Sequence, residues 1–376
     1  MAGGGIGGLT AAVALRRAGF AVRVLERAEE IREIGSGIAI SPNAVAALRR
    51  IGLDRAVTEA GVVAERLDLY SARGTPLARL SPESLGPGID APFVCIHRAT
   101  LQAVLLDAAG REAVETGCEV VGAETGEDGA TVVLRDGRRI SGAAIVGADG
   151  LRSRVRAGIL GDGEPLYAGY TAWRAVTPPG SVPRPTITSE TWGCGHRFGI
   201  VPLAGDRVYW YATSNVPAGG KDEPGILKNA LLDVFGSWHP PIRDLIAATP
   251  EEAVLRTDIL HRRPVRRWGQ GRMTLLGDAA HPMTPNLGQG ACLAIEDAAV
   301  LAECLSTAPD PAAGLRRYES LRWPRAAGIA LRAEHLGWIG QWESAPACWL
   351  RDRIVAWTPG AFHRFQMRRL FRFPAG

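Results

Sequence analysis

Lysine is all but missing from this chain: Lys221 and Lys228 are the only two among 43 basic residues, so arginine carries the positive charge. Against 39 acidic residues the formal net charge is +4, and the excess is scattered along the sequence, which gives nucleic acid no footing. No apolar run approaches the roughly 18 residues that a bilayer span needs, because Arg, Glu or Asp interrupts each one, so no membrane partner is expected. The N-terminus has neither the basic nor the apolar region of a signal peptide, and a cytoplasmic protein is the expectation. Six cysteines, at positions 95, 118, 194, 292, 304 and 348, show no CxxC or other metal-ligand spacing, which argues for reduced, mostly buried thiols and against a metal site. There is no internal repeat and no low-complexity tract.

What is present suffices for two domains, since the 376 residues are 46% hydrophobic and 22% charged. The spacing predicts helices over residues 7–18, 42–51 and 100–109, the first ended by Gly19 and the second started by Ser41. Residues 20–26 alternate as a strand, 118–123 and 131–134 read as strands, and 140–147 as one buried strand after a hairpin turn at Asp136-Gly137. From about position 165 the texture changes to short aromatic, alternating segments at 170–176, 186–192, 197–202 and 207–213, as in an antiparallel sheet with one face covered. A buried strand at 273–276 and a helix at 288–304 follow. The last stretch reads as helices interrupted at Pro324, Pro346 and Pro359.

Three separated motifs point to one nucleotide cofactor. Gly3, Gly5 and Gly8 form GxGxxG, which lets backbone N–H groups approach a pyrophosphate at the start of a helix. Glu26 ends the next strand, where a carboxylate can accept from ribose hydroxyls. Asp149-Gly150 and Asp278 each close a buried strand with a polar turn, and residues 285–290 (PNLGQG) lead into a helix whose unpaired N–H groups near Leu287 and Gly288 would face a flavin ring and stabilise negative charge on it. The glycine motif normally follows a β-strand, yet only Met1 and Ala2 precede it. The first strand is therefore expected to be truncated, either because the chain starts several residues late, which is favoured, or because the sheet lacks its central strand. His281 reads as holding the turn beside Pro282 rather than as a general base.

Through GGGIGGLTAAVALRRAG, VLERAEEIREIGSGIAISPNA, HRATLQAVL, VGADGLRSRVR, GYTAWRAV and GDAAHPMTPNLGQGACLAIEDA the chain resembles the group A flavoprotein monooxygenases, the family of para-hydroxybenzoate hydroxylase and salicylate hydroxylase. The resemblance implies FAD contacts at Glu26, Arg98 and Asp278, a dual FAD and NAD(P)H role for the Asp149 motif, and a flavin ring against residues 285–290. Cys292 stands where many members carry Asn, which puts one flavin contact in doubt. The candidate cofactor-binding set is Gly3, Gly5, Gly7, Gly8, Glu26, Arg27, Arg98, Asp149, Gly150, Gly277, Asp278, Pro285, Gly288 and Gly290. Pro285, Leu287 and Gly288 would lie beside the ring, with no certain catalytic side chain. Trp173, Arg174, His196, Tyr209 and Tyr211 are candidates for a substrate pocket on the sheet.

The fold implied is α/β: a Rossmann-like FAD-binding domain over 1–165 and 266–310, with a small β insertion near 64–95, an antiparallel substrate domain over 166–265, and a helical segment over 311–376. The activity implied is hydroxylation of a small, aromatic substrate with NADH or NADPH and O2 through a C4a-hydroperoxyflavin, by a monomer or homodimer. Two rivals stay open: another FAD-linked oxidoreductase, such as an epoxidase, reductase or halogenase, and a non-catalytic flavin-binding relic. The halogenase reading lacks its WxWxIP pattern and has only two lysines to offer.

Overall fold

The computed structural model describes residues 1–31 and 36–373 and shows an α/β chain with mixed sheets and helices. Met1 to Gly3 occupy the middle of a parallel sheet. Ala2 bridges Leu25 on one side and Gly147 on the other; its N–H donates to Val146 O at 2.9 Å and its carbonyl accepts from Ala148 N at 2.7 Å. Leu25 N donates to Met1 O at 2.9 Å and Gly3 N to Leu25 O at 2.8 Å. Outside these lie the parallel pairs Val24–Leu25 with Val114–Glu115 and Ile145–Gly147 with Met273–Leu275. The central position is thus filled by three residues that find partners on both edges, which removes the less favoured alternative of a sheet without its central strand.

The helix Ile6–Arg17 packs on the helices Gly290–Thr307 and Arg98–Ala109. Gly7 permits that approach, because a Cβ there would stand 2.9 Å from Leu276 and 3.2 Å from Ala294. Two expected strands are shorter than their patterns. Of residues 20–26 only Val24–Leu25 pair, since Phe20, Ala21 and Arg23 lie exposed beyond the neighbouring strand. Residues 140–147 divide between two sheets: Arg139–Gly142 returns along Ala130–Leu134 through the Asp136-Gly137 turn, while the fully buried Ile145–Gly147 enters the parallel sheet.

A seven-stranded sheet forms the second layer, in the order Leu255–His261, Leu166–Val176, Arg207–Ser214, His196–Leu203, Thr188–Trp192, Leu67–Ser71, Pro76–Leu80. Its pairs are antiparallel except Thr188–Trp192 with Leu67–Ser71, so it is mixed. The 64–95 insertion therefore lends two strands to this sheet and is not a feature of the first domain alone. One face buries Trp173, Phe198, Ile200 and Trp210 beneath the helices Leu227–Phe235 and Ile242–Ala248. The other turns Val201, Leu203, Tyr209 and Tyr211 toward the core of the parallel sheet.

The C-terminal part is helical: Pro311–Gly340, Ala345–Trp357 and Gly360–Phe371. Pro346 and Pro359 mark helix starts, whereas Pro324 lies inside its helix. Pro324 and Ser320 are both exposed, so water can reach the carbonyl left without an N–H partner, while Tyr318 and Arg322 hold the buried side.

Candidate active site

At the phosphate end each glycine has a separate reason. Gly3 has φ +103°, and a Cβ there would lie 2.4 Å from Ala148 O; one on Gly8 would lie 2.0 Å from Gly3 O. Gly5 has nothing within 4 Å of its Cβ direction and no side chain capping the helix it begins, which leaves the helix N-terminus open to an anion. Glu26 accepts from Gly4 N at 2.7 Å and Ala28 N at 3.0 Å, which orients its carboxylate beside the loop. Gln102, which sequence reasoning missed, donates to Gly4 O at 3.0 Å. It lies four residues after Arg98 on the same helix and therefore on the same face, a signal that HRATLQ carries. Arg27 is exposed at the outer end, close enough to act electrostatically on Glu119.

The middle of the cleft is made by chain turns far apart in sequence. Asp278 stands between buried Gly277 and Ala279 but is itself exposed. Its Oδ1 is 3.6 Å from where a Cβ on Gly290 would be, at the start of the helix Gly290–Thr307. Removal from bulk water raises the Asp278 pKa, opposed by the nearby charges of His281 and Arg98. Arg98, exposed at its helix start, donates its backbone N–H to Ser36 O at 2.8 Å. Asp149 is already engaged: it accepts from Ser153 Oγ at 2.5 Å, Arg154 N at 2.7 Å and Val155 N at 3.3 Å, and so starts the helix Arg154–Leu160. Gly150, with φ +80°, has open space over its Cα.

At the far end, Pro285–Leu287 makes one turn and Gly288 takes the left-handed conformation with nothing near its Cβ direction. Its N–H is not unpaired, as the sequence suggested, because it donates to Pro285 O at 2.9 Å. The open donors belong to the first turn of the next helix. Asn286, also missed, ties this loop down: its Oδ1 accepts from Tyr170 OH at 2.9 Å and Arg197 Nη2 at 2.7 Å, and its Nδ2 donates to Thr284 Oγ1 at 2.9 Å and Ala333 O at 2.8 Å. Cys292 is buried with its Sγ 3.7 Å from Ala39 O and 3.4 Å from Ser41 N, so the thiol faces a strand. Burial pushes it up to about 11.

The substrate candidates separate by face. Arg174 lies opposite Tyr211 in the sheet register, and Tyr209 is next but one to Tyr211. Burial raises the Tyr209 hydroxyl pKa, opposed by the positive charges of Arg174 and Arg98. Tyr209 and Tyr211 have ring centroids 6.1 Å apart, and Tyr211 OH donates to Glu190 at 2.7 Å. Gly37 lies so close to Tyr209 that a Cβ would meet its ring at 2.5 Å. Trp173 and His196 must be withdrawn as pocket residues. Trp173 donates to Asp222 at 2.8 Å beneath Arg256, and His196 contacts Ser214 Oγ at 2.8 Å and the Phe235 ring at 5.9 Å, all on the helix-covered face. Neighbours such as Trp173 and Arg174 cannot share a face of a strand.

The sequence pattern of the family described as FAD binding domain matches residues 1–333. The chain belongs to the group A FAD-dependent monooxygenases. Similar to this monooxygenase is the aurachin C monooxygenase/isomerase of Stigmatella aurantiaca, 46% identical over 355 residues that cover 94% of this chain and 92% of the relative. The chloroplastic zeaxanthin epoxidase of Solanum lycopersicum is 38% identical across 86% of this chain, which spans 51% of that longer protein. The Klebsiella pneumoniae protein HpxO, in a crystal structure with FAD and uric acid, superposes with a TM-score of 0.91 at 32% identity, covering 98% of this chain and 95% of that one.

The monooxygenase's own residues fit FAD. Gly3 and Gly8 have no room for a Cβ while Gly5, Gly150 and Gly288 face open space, Glu26 holds the loop at Gly4 N, and Asp278 Oδ1 stands 3.6 Å from the Cβ direction of Gly290 at a helix start. Beneath that floor lies a buried ionic cluster. His281 Nε2 is 2.6 Å from Asp297, Arg322 Nε donates to Asp297 at 2.6 Å, and Gly277 N donates to it at 3.2 Å. Glu296 takes Arg322, Arg325 and Asn43 as partners. Burial works to raise the Asp297 carboxyl, but His281 and Arg322 outweigh it and hold it at about 2 against an ordinary 3.8. A lowered folded value means stability that is present above the unfolded pKa and is lost as pH falls through the folded one. Apo-protein melting temperature is thus expected to drop between about pH 4 and pH 2, and Asp297→Asn to flatten that part of the profile; an unchanged acid limb would show that Asp297 is not the group responsible.

Proposed function

We propose that this monooxygenase uses NAD(P)H and dioxygen to place one oxygen atom on a small aromatic substrate bound between the flavin ring and the sheet face of Arg174, Tyr209 and Tyr211. The observation that supports this reading is geometric: Arg98 N donates to Ser36 O at 2.8 Å, and the next residue, Gly37, packs against Tyr209 so closely that a Cβ would stand 2.5 Å from it, which brings the tyrosine face beside the helix start of Arg98. FAD, when bound, supplies the redox chemistry of dioxygen, and the side chains supply positioning and exclusion of water. Two tyrosine rings offer apolar walls for a flat ring, and Arg174 offers a charge for an oxygen substituent or its anion. Glu26, Arg98 and Asp278 would hold ribose, pyrophosphate and ribityl oxygens; Gly288 and the helix start would face the ring. Residues 1–165 and 266–310 would serve the cofactor, and 166–265 together with 67–80 the substrate. The named relatives include an epoxidase, so oxygen delivery to a carbon–carbon double bond is the second reading.

The test is substrate-stimulated NAD(P)H oxidation by the yellow holoenzyme across phenols, quinolones and purines, with product mass increased by one oxygen. Arg174→Ala is expected to keep its flavin and lose about tenfold to a hundredfold in kcat/KM, the usual consequence of removing one charged hydrogen bond. Unchanged kinetics with every turnover substrate would remove Arg174 from the pocket.

A further inference from the structure

The last two helices carry an apolar face that nothing else among the described residues covers. In Ala345–Trp357, Trp349, Leu350, Ile354 and Trp357 are 59%, 50%, 56% and 72% exposed; in Gly360–Phe371, Phe362 and Phe365 are 53% and 59% exposed. Both helices pack on the strand Pro76–Leu80. Their buried positions are Cys348 and Arg351 in one and Leu370 and Phe371 in the other. At 100° per residue the exposed aromatic and aliphatic positions fall on the opposite side of each helix, so both stripes look away from the body.

Charge is concentrated in the same place. Residues 345–373 hold six arginines and one acidic residue, Asp352, an excess larger than the +4 of the whole chain. The scattered charge of the sequence is therefore gathered at one end of the fold. Asp352 is paired with the buried Arg351 at 2.9 Å, and Arg353, Arg364, Arg369 and Arg372 are exposed. The Arg353 guanidinium lies 5.4 Å from the Trp349 ring and 5.7 Å from the Trp357 ring, which puts a cation inside the apolar stripe.

We propose that this helix pair docks the enzyme on an anionic lipid surface. A second copy is a poor occupant, because a twofold contact brings the patch onto itself and sets arginine against arginine, with the one acid, Asp352, already taken by Arg351. A lipid interface accepts both components: Trp, Phe, Leu and Ile enter to the depth of the upper acyl chains while the guanidinium groups reach the phosphates. The expectation of no membrane partner rested on spanning segments, and no helix among the described residues is long and apolar enough to cross a bilayer. Helices of 13 and 12 residues that lie in the interface need no such length.

The experiment is co-sedimentation of the FAD-loaded protein with vesicles of phosphatidylcholine alone and with phosphatidylglycerol added, at low and high salt. Binding is expected only where phosphatidylglycerol is present, and weaker in salt. Replacing Arg353, Arg364 and Arg369 together by Gln should lower partition about a hundredfold, and Trp349→Ala, Trp357→Ala and Phe365→Ala together should abolish it, with flavin content unchanged in both variants. Absence of the parent protein from the anionic pellet, or equal binding to neutral vesicles, would overturn the proposal. So would a dimer in analytical ultracentrifugation that the aromatic triple variant makes monomeric while vesicle binding stays absent, since the face would then belong to a second copy.

Discussion

Asp278→Ala is expected to emerge from purification with most of its flavin missing while its apo form melts no lower than the parent. The carboxylate faces the cleft beside Gly290 and the helix start, and loss of a hydrogen bond to a charged group weakens binding about tenfold to a hundredfold. Stability moves the other way. Desolvation raises the Asp278 pKa, so ionising it at neutral pH costs the folded apo protein, and that cost fades as pH falls through the raised value. Alanine removes the cost. The ratio of flavin to protein absorbance and the apo melting curve separate the two effects, and equal flavin content in variant and parent would defeat the assignment of this carboxylate.

Arg322→Met should have the largest effect on the fold. Arg322 is 2% exposed at its side chain and pairs with Glu296 and Asp297, both fully buried, at 2.6 Å each. Removing the shared cation leaves Arg325 on Glu296 and His281 on Asp297, too little to match two carboxylates out of water. Breaking a buried pair of this kind typically costs about 3–5 kcal/mol, which corresponds here to a melting point lower by on the order of 10 °C. Because Asp297 also holds Gly277 N, the turn that presents Asp278 should loosen, and flavin retention should fall with stability. A variant that melts with the parent would show that the cluster is electrostatically redundant.

Much of the local geometry of the candidate cofactor site was legible because its demands fall on backbone. Gly3 and Gly8 have no room for a Cβ, and such positions leave glycines at fixed spacing in the chain. Glu26 and Asp278 were readable as strand ends. The two-residue period of the sheet was readable too, but it does not say which face meets the cleft; that depends on the helices Leu227–Phe235 and Ile242–Ala248, which settle over Trp173 and His196. Contacts between remote segments left no local mark. Asn43 meets Glu296 across 253 positions, and Leu67–Ser71 joins the edge of a sheet formed a hundred residues later. Pro324 misled because an exposed helical position tolerates a proline that a buried one would not.

Asn286 joins three bodies with one amide: the turn at Pro285, the sheet through Tyr170 and Arg197, and the long helix through Ala333. Gly337 must be glycine for that junction to form, since a Cβ would lie 2.2 Å from the amide nitrogen. The turn, the sheet and the long helix are therefore held by a rivet rather than by a hinge, and none of the three can shift without dragging the others.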